Sequence, residues 1–302
     1  MNEKNLIVTF GSCGLDIILD KNTRKEIYRE EGRKNSHQAV AAKRGGADSI
    51  LISFVGDDDI GKYVLNSLIE CGMDEKYIKV VKGAKTEVNI QLLDPITKDY
   101  ELERGPAELS QNYSCEIIKE YEDVLKRASC INLVSKQPKD FLNEVINFAY
   151  LNNITTYLTV SHKKFDIKNK EDIETLKKVT YIVGNYSEIS QLTQISDIEQ
   201  IFKTWKNIIM TKGSEGVYFN DESGIMCHEE AVKVENVVET NGAGDTFIGN
   251  FMVFKSEGQS MVESVKRAMC ASAIEISGMG VYATMPSRKQ TDDLYNRYYH
   301  KK

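Results

Sequence analysis

The sequence lacks the features that mark several large classes of protein. Its six cysteines include no Cys-x-x-Cys pair, which excludes the usual structural zinc sites. Its four histidines are dispersed along the chain and indicate no metal cluster. The 39 basic and 45 acidic residues give a net charge of −6, which argues against a general nucleic-acid binder because such proteins must neutralise phosphates. No run approaches about 18 apolar residues, so the sequence predicts no transmembrane helix and no membrane partner.

The chain also contains little that would divide or export it. It has only four prolines and shows no Pro/Ser-rich linker, repeat or low-complexity tract. Residues 1–5 are polar and lead directly into the apolar residues 6–8, which are too few for a signal-peptide core. Disulfides are not expected in a long chain without a secretory signal. From 302 residues we expect two units, or one large α/β domain with an attachment, in a soluble cytoplasmic enzyme.

Apolar runs of strand length alternate with segments of helical periodicity. The predicted strands are residues 6–10, 49–55, 130–134, 154–160, 181–183 and 207–211. Apolar residues at helical spacing follow Pro138, which is predicted to be the first residue of a helix. Two further stripes of this kind cover residues 247–254 and 261–276. Nearly continuous apolar strands are typical of strands buried on both faces. The pattern therefore predicts an α/β fold, with a mostly parallel sheet sandwiched between helices.

One stretch departs from this pattern and predicts a separate small sheet. In residues 87–92 apolar and polar side chains alternate, residues 94–98 resemble a turn, and the alternation resumes at residues 100–102. Residues 15–31 carry another short pattern of strand type. Because a two-stranded ribbon alone is marginal in water, we expect these pieces to combine into a β-sheet lid. The lid is predicted to comprise about residues 13–31 and 86–106.

Two familiar nucleotide-binding patterns occur and are rejected. Residues 56–63 approach the Walker A spacing, but Tyr63 replaces the hydroxyl that binds Mg²⁺. Three consecutive aspartates in that segment would also repel phosphates. Residues 278–283 resemble a dinucleotide-binding fingerprint, but they follow a helical stripe where that motif needs a strand. We predict a helix C-cap and loop there instead.

The segment Gly242-Ala243-Gly244-Asp245 precedes a helical stripe and carries the clearest chemical signal. Glycines allow a tight turn, and the unpaired N–H groups of a first helical turn can bind an anion. A carboxylate beside a bound phosphoryl group can act as a general base in phosphoryl transfer. The same Asp245 could instead simply cap the helix, and the local pattern leaves both interpretations open.

With these motifs in place, the sequence resembles the ribokinase-like, PfkB-type carbohydrate kinases over almost its whole length. The matching segments, in family order, are residues 11–16, 38–47, 54–61, 185–188, 211–216 and 242–245. The resemblance implies a ribokinase-like fold over residues 1–302 with the lid inserted within it. It also implies transfer of the γ-phosphate of ATP to a hydroxyl of a sugar, with Mg²⁺ as cofactor and a homodimer formed through the lid.

The resemblance also assigns roles to individual residues. Asp245 would be the general base, and Gly242, Ala243 and Gly244 would donate N–H groups to the transferred phosphoryl oxygens. The residues implied to bind substrate are Asp16, Gly32, Arg33, Lys34 and His37. The residues implied to bind nucleotide are Asn185, Thr211, Gly213 and Gly216, with Glu188 placing Mg²⁺. Simpler alternatives stay open: Asp16 as a cap or loop residue, Glu188 as an exposed helix residue, and the two later glycines as an ordinary turn.

Departures from the family pattern concentrate at the substrate end. Residues 32–37 read Gly-Arg-Lys-Asn-Ser-His where the family shows Gly-Gly-Lys-Gly-Ala-Asn. Arg33 thus replaces a hinge glycine, His37 replaces a sugar-binding Asn, and Gly14 stands where ribokinases carry another Asn. Glu239 replaces an Asp, which puts a neighbouring monovalent cation such as K⁺ in doubt.

These departures leave several functions open. Arg33, Lys34 and His37 could accept a substrate with a negative charge, or Arg33 could be a solvated surface residue. A nucleoside or phosphosugar kinase is the nearest alternative to a sugar kinase. A sugar- or nucleotide-binding protein with impaired transfer activity is another.

Overall fold

Two β-sheets organise the part of the chain that the computed structural model describes, which is residues 5–97, 100–105, 108–161 and 164–300. The strands are β1 Leu6–Phe10, β2 Gly14–Asp20, β3 Glu26–Gly32, β4 Asp48–Gly56, β5 Ile78–Val81, β6 Val88–Leu93, β7 Tyr100–Arg104, β8 Cys130–Val134, β9 Thr155–Thr159, β10 Tyr181–Asn185, β11 Ile208–Thr211, β12 Val217–Asn220 and β13 Met226–Glu229.

Helices connect these strands on both sides of the larger sheet. They are α1 Lys34–Arg44, α2 Asp59–Glu70, α3 Cys115–Glu120, α4 Glu122–Arg127, α5 Lys139–Leu151, α6 Lys170–Lys178, α7 Tyr186–Thr193, α8 Ile198–Thr204, α9 Ala243–Ser256, α10 Met261–Glu275, α11 Val281–Thr284 and α12 Arg288–Tyr299. Short 3₁₀ helices lie at Glu75–Tyr77, Glu108–Asn112 and Gly213–Glu215. No helix in the described ranges is long and apolar enough to cross a membrane.

The larger sheet confirms the predicted α/β fold. Its strand order is β13-β12-β11-β10-β9-β8-β1-β4-β5, and only the β11–β12 and β12–β13 pairs are antiparallel. The whole of β1 and β8 is buried, as continuous apolar strands require. Because side chains alternate along a strand, Val8 packs among one set of helices while Ile7 packs against α9 and α10 on the other face. The sheet is therefore covered on both sides.

The smaller sheet has the order β3-β2-β6-β7, so both predicted lid segments join one sheet. Strand β2 pairs in parallel with β6 and antiparallel with β3, while β7 completes the hairpin with β6. A two-stranded ribbon alone would be only marginally stable in water, and the four-stranded sheet supplies the additional strand pairing. Lys98, at the end of the predicted turn, and residue 106, at the predicted lid boundary, lie outside the described residues.

Small corrections concern helix boundaries and the two rejected motifs. Pro138 stands one residue before α5 rather than being its first residue. In residues 56–63, Asp58 caps α2 by accepting a hydrogen bond from the Gly61 N–H, so this segment is a strand-to-helix turn. Residues 278–283 are not wholly a loop, because the short helix α11 begins within them after Gly280.

Helices α1 and α9 cross at very close range, which fixes the relative positions of the residues at their ends. A Cβ atom on Gly249, in α9, would lie 2.5 Å from the Ala41 Cβ and 2.7 Å from the Gln38 carbonyl oxygen. Gly249 therefore allows the two helix backbones to approach each other. This contact holds the start of α1 beside the start of α9.

We expect Gly249→Ala to lower the free energy of unfolding by about 1–3 kcal/mol, because the added methyl group overpacks this crossing. Gly244→Ala is the matched control, since that glycine lies in the same helix and its added Cβ would meet nothing within 4 Å. Urea unfolding of both variants makes the comparison. Equal stabilities of the two would contradict the proposed role of Gly249.

Candidate active site

A cavity of about 180 Å³ lies between the two sheets and collects most of the residues predicted to bind substrate. Asp16 comes from β2, Arg33 to His37 from the junction of β3 with α1, and Asp245 from the first turn of α9. Gly32, which was also predicted to bind substrate, immediately precedes Arg33. A larger depression of about 540 Å³ lies near residues 204–207, before β11, and contains none of the predicted site residues. The smaller cavity is therefore the candidate active site.

The Asp245 carboxylate reaches the cavity wall and does not cap its own helix. Gly242 occupies the N-cap position of α9, and no side chain caps that end. Instead, the Asp245 Oδ1 accepts a hydrogen bond from the Gln38 Nε2 at 2.8 Å. Its Oδ2 lies 3.6 Å from the His37 Nδ1, and its side chain is 13% exposed. The carboxylate is thus held in place by α1 while remaining open to a ligand.

Gln38 belongs to a buried polar network that the sequence did not predict. Its side-chain oxygen accepts a hydrogen bond from the Asn132 Nδ2 at 2.8 Å, and its Nε2 lies 3.3 Å from the Thr159 Oγ1. Asn132 and Thr159 are fully or almost fully buried on β8 and β9. The sequence contained a sign of this network, because Asn132 and Thr159 are polar residues within strands that are otherwise mostly apolar. These contacts fix the orientation of Gln38 and through it that of Asp245.

His37 is buried beside several carboxylates, which keeps its imidazole protonated. Burial alone would lower the pKa of His37, but its interaction with Asp245 and the negative charges of Glu31 and Glu30 outweigh that effect and raise the pKa to about 10. The His37 Nε2 lies 3.3 Å from the Glu31 carbonyl oxygen. At neutral pH a positively charged imidazolium therefore faces the Asp245 side chain.

The first turn of α9 presents unpaired backbone donors. Gly242 has a φ of 89°, which favours glycine. Among the described residues, the N–H groups of Gly244 and Asp245 find no acceptor, whereas the Ala243 N–H lies 3.4 Å from the Thr240 carbonyl oxygen. By the same criterion the Gly242 N–H is unpaired, so of the predicted donors only Ala243 is partly engaged, and the Asp245 N–H is a further unpaired donor. Unpaired N–H groups at a helix start suit an anion.

Arg33 is not a solvated surface residue, which corrects one of the two interpretations. It is only 7% exposed and forms a buried ion pair with Asp16. The second Asp16 oxygen accepts a hydrogen bond from the Gln91 Nε2 at 2.9 Å. Asp16 is therefore part of a buried polar network rather than a loop or cap residue. Gly32 is needed beside it, because a Cβ there would lie 2.3 Å from the Asp16 Oδ2.

Lys34 links the substrate cavity to the segment predicted to bind nucleotide. Its Nζ donates to the Glu188 Oε1 at 2.8 Å. Glu188 also completes a capping box at the start of α7: its Oε2 accepts from the Asn185 N–H, and the Asn185 side chain accepts from the Glu188 N–H. Both residues therefore have a structural role, and Glu188 is neither fully exposed nor free of contacts.

The remaining predicted nucleotide-binding residues lie in the turn between β11 and β12. Thr211 pairs in register with Asn185 on β10, so the two lie side by side at the carboxyl edge of the sheet. Gly216 has a φ of 96°, and a Cβ on it would lie 2.0 Å from the Glu229 carbonyl oxygen. Gly213 has a φ of 55° and open space around it. The geometry of the turn explains why position 216 is a glycine, while the open space at Gly213 leaves room for a ligand.

A group of buried glutamates lies behind the cavity, and of these the sequence pointed only to Glu239. Glu31 is fully buried on β3, and burial raises its pKa to about 8. Glu275 is almost fully buried at the end of α10, and burial raises its pKa to about 9. Glu239 accepts hydrogen bonds from the Tyr28 hydroxyl and the Gly280 N–H. These residues are distant in sequence, and Glu31 and Glu275 both interact electrostatically with His37.

We expect the stability of the protein to fall as the pH rises, with Glu31 as a main cause. Its pKa in the folded chain, about 8, exceeds the ordinary value of 4.5. Its contribution is therefore complete below pH 4.5 and is lost as the pH rises through about 8, at about 1 kcal/mol per pH unit. Glu31→Gln should flatten the curve of unfolding free energy between pH 5 and 8, measured by urea unfolding.

The matched control is Glu116→Gln, which removes an exposed glutamate on α3. It should leave the pH dependence of the parent unchanged. His37 adds a further loss as the pH rises toward about 10; the control keeps this loss, whereas Glu31→Gln reduces it because the charge of Glu31 is one of the causes of the raised His37 pKa. An unchanged slope in Glu31→Gln would contradict the assignment.

Within the described ranges, no three or more His, Cys, Asp or Glu side chains are grouped so that they could hold a metal ion. Mg²⁺ often binds through phosphate oxygens and waters with only one or two carboxylates. Glu188 fits such a role through an intervening water, because both of its oxygens already accept protein hydrogen bonds.

Comparison with known proteins identifies the family of this chain. A family model described as pfkB family carbohydrate kinase matches residues 4–288. The chain belongs to the pfkB family of carbohydrate kinases. It is accordingly an ATP-dependent carbohydrate kinase, as the resemblance predicted.

Relatives of this carbohydrate kinase span its whole length. It is 24% identical to the ribokinase of Bacillus subtilis (strain 168) over 299 residues, which cover 95% of this chain and 98% of the relative. An Arabidopsis thaliana ribokinase complexed with ribose and ATP has a TM-score of 0.82 at 20% identity, covering 97% of this chain and 99% of that one. A Burkholderia thailandensis nucleoside kinase in complex with inosine has a TM-score of 0.81 at 16% identity, covering 98% and 99%. These structures show the fold and leave the acceptor open.

Proposed function

We propose that this carbohydrate kinase transfers the γ-phosphate of ATP to a sugar hydroxyl with Asp245 as the general base. One observation carries the proposal: the Asp245 carboxylate lies on the cavity wall in the same helical turn as the unpaired N–H groups of Gly244 and Asp245. A base and an oxyanion-binding group are thereby placed within one turn of α9. A binding protein without transfer activity would have no chemical need for that combination.

The balanced reaction needs only groups that the site and ATP supply. The sugar hydroxyl loses its proton to the Asp245 carboxylate as its oxygen forms a bond to the γ-phosphorus. The bond from that phosphorus to the bridging oxygen breaks, and its electron pair leaves with ADP. The unpaired N–H groups, with Gly242 shaping their turn, stabilise the negative charge on the transferred oxygens. The His37 imidazolium lies 3.6 Å from the Asp245 Oδ2 and helps to hold that side chain in position.

We place the nucleotide along the carboxyl edge of the larger sheet, beside the cavity. We place its phosphates and base near Asn185, Thr211, Gly213 and Gly216, which follow neighbouring strands. Glu188 would hold Mg²⁺ through water, and that ion would neutralise phosphate charge when bound. Because Lys34 pairs with Glu188 in this structure, phosphate binding would draw Lys34 away from that carboxylate.

Three further expectations belong to the same proposal. The four-stranded sheet would close over the sugar as a lid, and partly exposed apolar residues on it, Ile27 and Leu102, would contribute to a homodimer. A monovalent cation such as K⁺ would be an optional activator, since the Glu239 carboxylate is already engaged by Tyr28 and Gly280. The cytoplasm remains the proposed compartment, in keeping with six free thiols.

The direct test is product formation from Mg-ATP with a panel of pentoses, hexoses, sugar phosphates, sugar acids and nucleosides. Phosphorylated product from any sugar member would support the proposal. Turnover confined to nucleosides would assign the alternative acceptor class. Stabilisation by ATP and a panel member without any product would instead indicate a binding protein, and would overturn the proposed transfer.

A further inference from the structure

Arg33 adopts a backbone conformation that ordinary side chains avoid. Its φ is 129° and its ψ is 141°, at the junction between the lid strand β3 and helix α1. Glycine adopts such angles without strain, whereas an arginine there costs free energy. A strained residue held at the wall of a candidate active site suggests that its side chain serves the site.

Gly14 leaves room for both the Glu87 backbone and the Arg33 side chain. A Cβ on Gly14 would lie 2.5 Å from the Glu87 carbonyl oxygen, 3.0 Å from the Arg33 Nη2 and 3.2 Å from the Arg33 Cζ. A larger residue at position 14 would therefore displace the Glu87 backbone and crowd the guanidinium. The two departures from the family pattern, Gly14 and Arg33, are complementary in space. Where ribokinases carry the amide of an Asn, this chain has Gly14 and beside it the guanidinium of Arg33, which donates hydrogen bonds but accepts none.

The guanidinium is hydrogen-bonded at one edge only. Its Nη1 donates to Asp16, while its Nε and Nη2 find no hydrogen-bond acceptor among the described residues. The Nη2 forms an ion pair with the Glu87 Oε1 at 3.5 Å but no hydrogen bond, and that oxygen accepts a hydrogen bond from the Lys136 Nζ at 2.9 Å. Nε and Nη2 form the side-on edge of a guanidinium, which matches the two oxygens of a carboxylate or phosphate. Donors buried in this way call for an acceptor.

The charges around the cavity are compatible with the same kind of ligand. The basic side chains that line it are Arg33, Lys34, His37 and Lys136, and the carboxylates are Asp16, Glu87 and Asp245. Lys34 also pairs with Glu188, so with His37 protonated four cations meet four carboxylates. The cavity wall therefore has no excess negative charge that would repel an anion, and Arg33 is the cation in it whose buried donors lack acceptors in the part of the chain that the structure describes.

We propose that the acceptor is an anionic sugar whose carboxylate or phosphate ester binds the Nε–Nη2 edge of Arg33 while its reacting hydroxyl faces Asp245. This inference rests on the proposed function, because it assigns the acceptor of the same reaction. Both nitrogens are closed to solvent in this structure. The anion therefore reaches the two nitrogens when the lid moves, because the lid contains β2, which carries Asp16, and β6, which follows Glu87.

The test compares matched acceptors in the parent and in Arg33→Gln. Ribose is paired with ribose 5-phosphate and glucose with gluconate, so the two pairs distinguish a phosphate from a carboxylate. We expect an anionic member to exceed its neutral partner in kcat/KM in the parent. Arg33→Gln should lower kcat/KM for that anion, mostly through KM, by about 10–100-fold more than it lowers kcat/KM for the neutral partner. Arg29→Gln, which removes an exposed arginine of β3, is the charge-matched control.

Binding separates this inference from the transfer reaction. Calorimetric titration of Asp245→Asn with ribose 5-phosphate, gluconate, ribose and glucose reports selectivity without turnover. Tighter binding of an anion, lost in the double variant with Arg33→Gln, would support the anionic acceptor even if the proposed base proves wrong. Preference for the neutral sugars, no binding of either anion, or equal anion affinity with and without Arg33 would overturn it. If Arg33→Gln does not fold, Arg33→Gly serves instead, because glycine tolerates this backbone.

Discussion

Asp245→Asn should lower kcat by about 10²–10⁴-fold, the usual contribution of a general base. Asparagine keeps the size of the side chain, and its oxygen can still accept the hydrogen bond from the Gln38 Nε2. Its amide cannot take a proton from the attacking hydroxyl, however. The KM for ATP should change little, because the N–H donors of α9 belong to the backbone. Initial rates with Mg-ATP and the best acceptor of the panel measure the effect.

The same substitution should also be visible at His37. Loss of the neighbouring carboxylate removes one of the interactions that raise the pKa of His37, so that pKa should fall toward its ordinary value. An NMR titration of the imidazole would follow this change. Asp197→Asn is the control, because Asp197 caps the remote helix α8 and asparagine caps a helix equally well. If Asp245→Asn retains kcat within about three-fold of the parent, Asp245 is not the base.

The main sheet was predictable because its strands are buried on both faces. Such strands appear in the sequence as short apolar runs, and β1 and β8 were predicted with the bounds they have in the structure. The lid strands were less distinct, since one face of that sheet is exposed and polar residues alternate with apolar ones. Their union into one four-stranded sheet depends on the parallel pairing of β2 with β6, more than 70 residues apart in sequence. No local pattern encodes that pairing.

Within the site, the anion-binding turn could be predicted because its glycines and Asp245 are contiguous. The supports of Asp245 could not be found in that way, since Gln38 is 207 residues away. Arg33 shows the opposite limitation. An arginine flanked by charged and polar residues suggests exposure, yet the side chain is buried against Asp16. Only the space at Gly14 and the partners on the lid strands determine its position.

Gly242→Ala should lower kcat/KM by about 10²–10³-fold, an effect comparable to removing an oxyanion-binding donor. Gly242 has a φ of 89°, which a side chain disfavours. The added Cβ would also lie 2.5 Å from the Val281 Cγ1 and 3.0 Å from the Glu275 Oε1. The turn must therefore change conformation, which redirects the N–H groups of α9. A stability loss of about 1–3 kcal/mol should accompany the loss of activity.

A second substitution separates steric overlap from backbone strain in this variant. Val281→Ala removes both methyl groups that the new Cβ would meet. If overlap dominates, Gly242→Ala combined with Val281→Ala should regain much of the lost stability in urea unfolding. If the positive φ dominates, the double variant should be no more stable than Gly242→Ala alone. Gly244→Ala, whose Cβ meets no atom within 4 Å and whose φ is not in the positive range, is the stability control. Full activity of Gly242→Ala would show that the phosphoryl group is not bound at this turn, and the helix start would then have only a structural role.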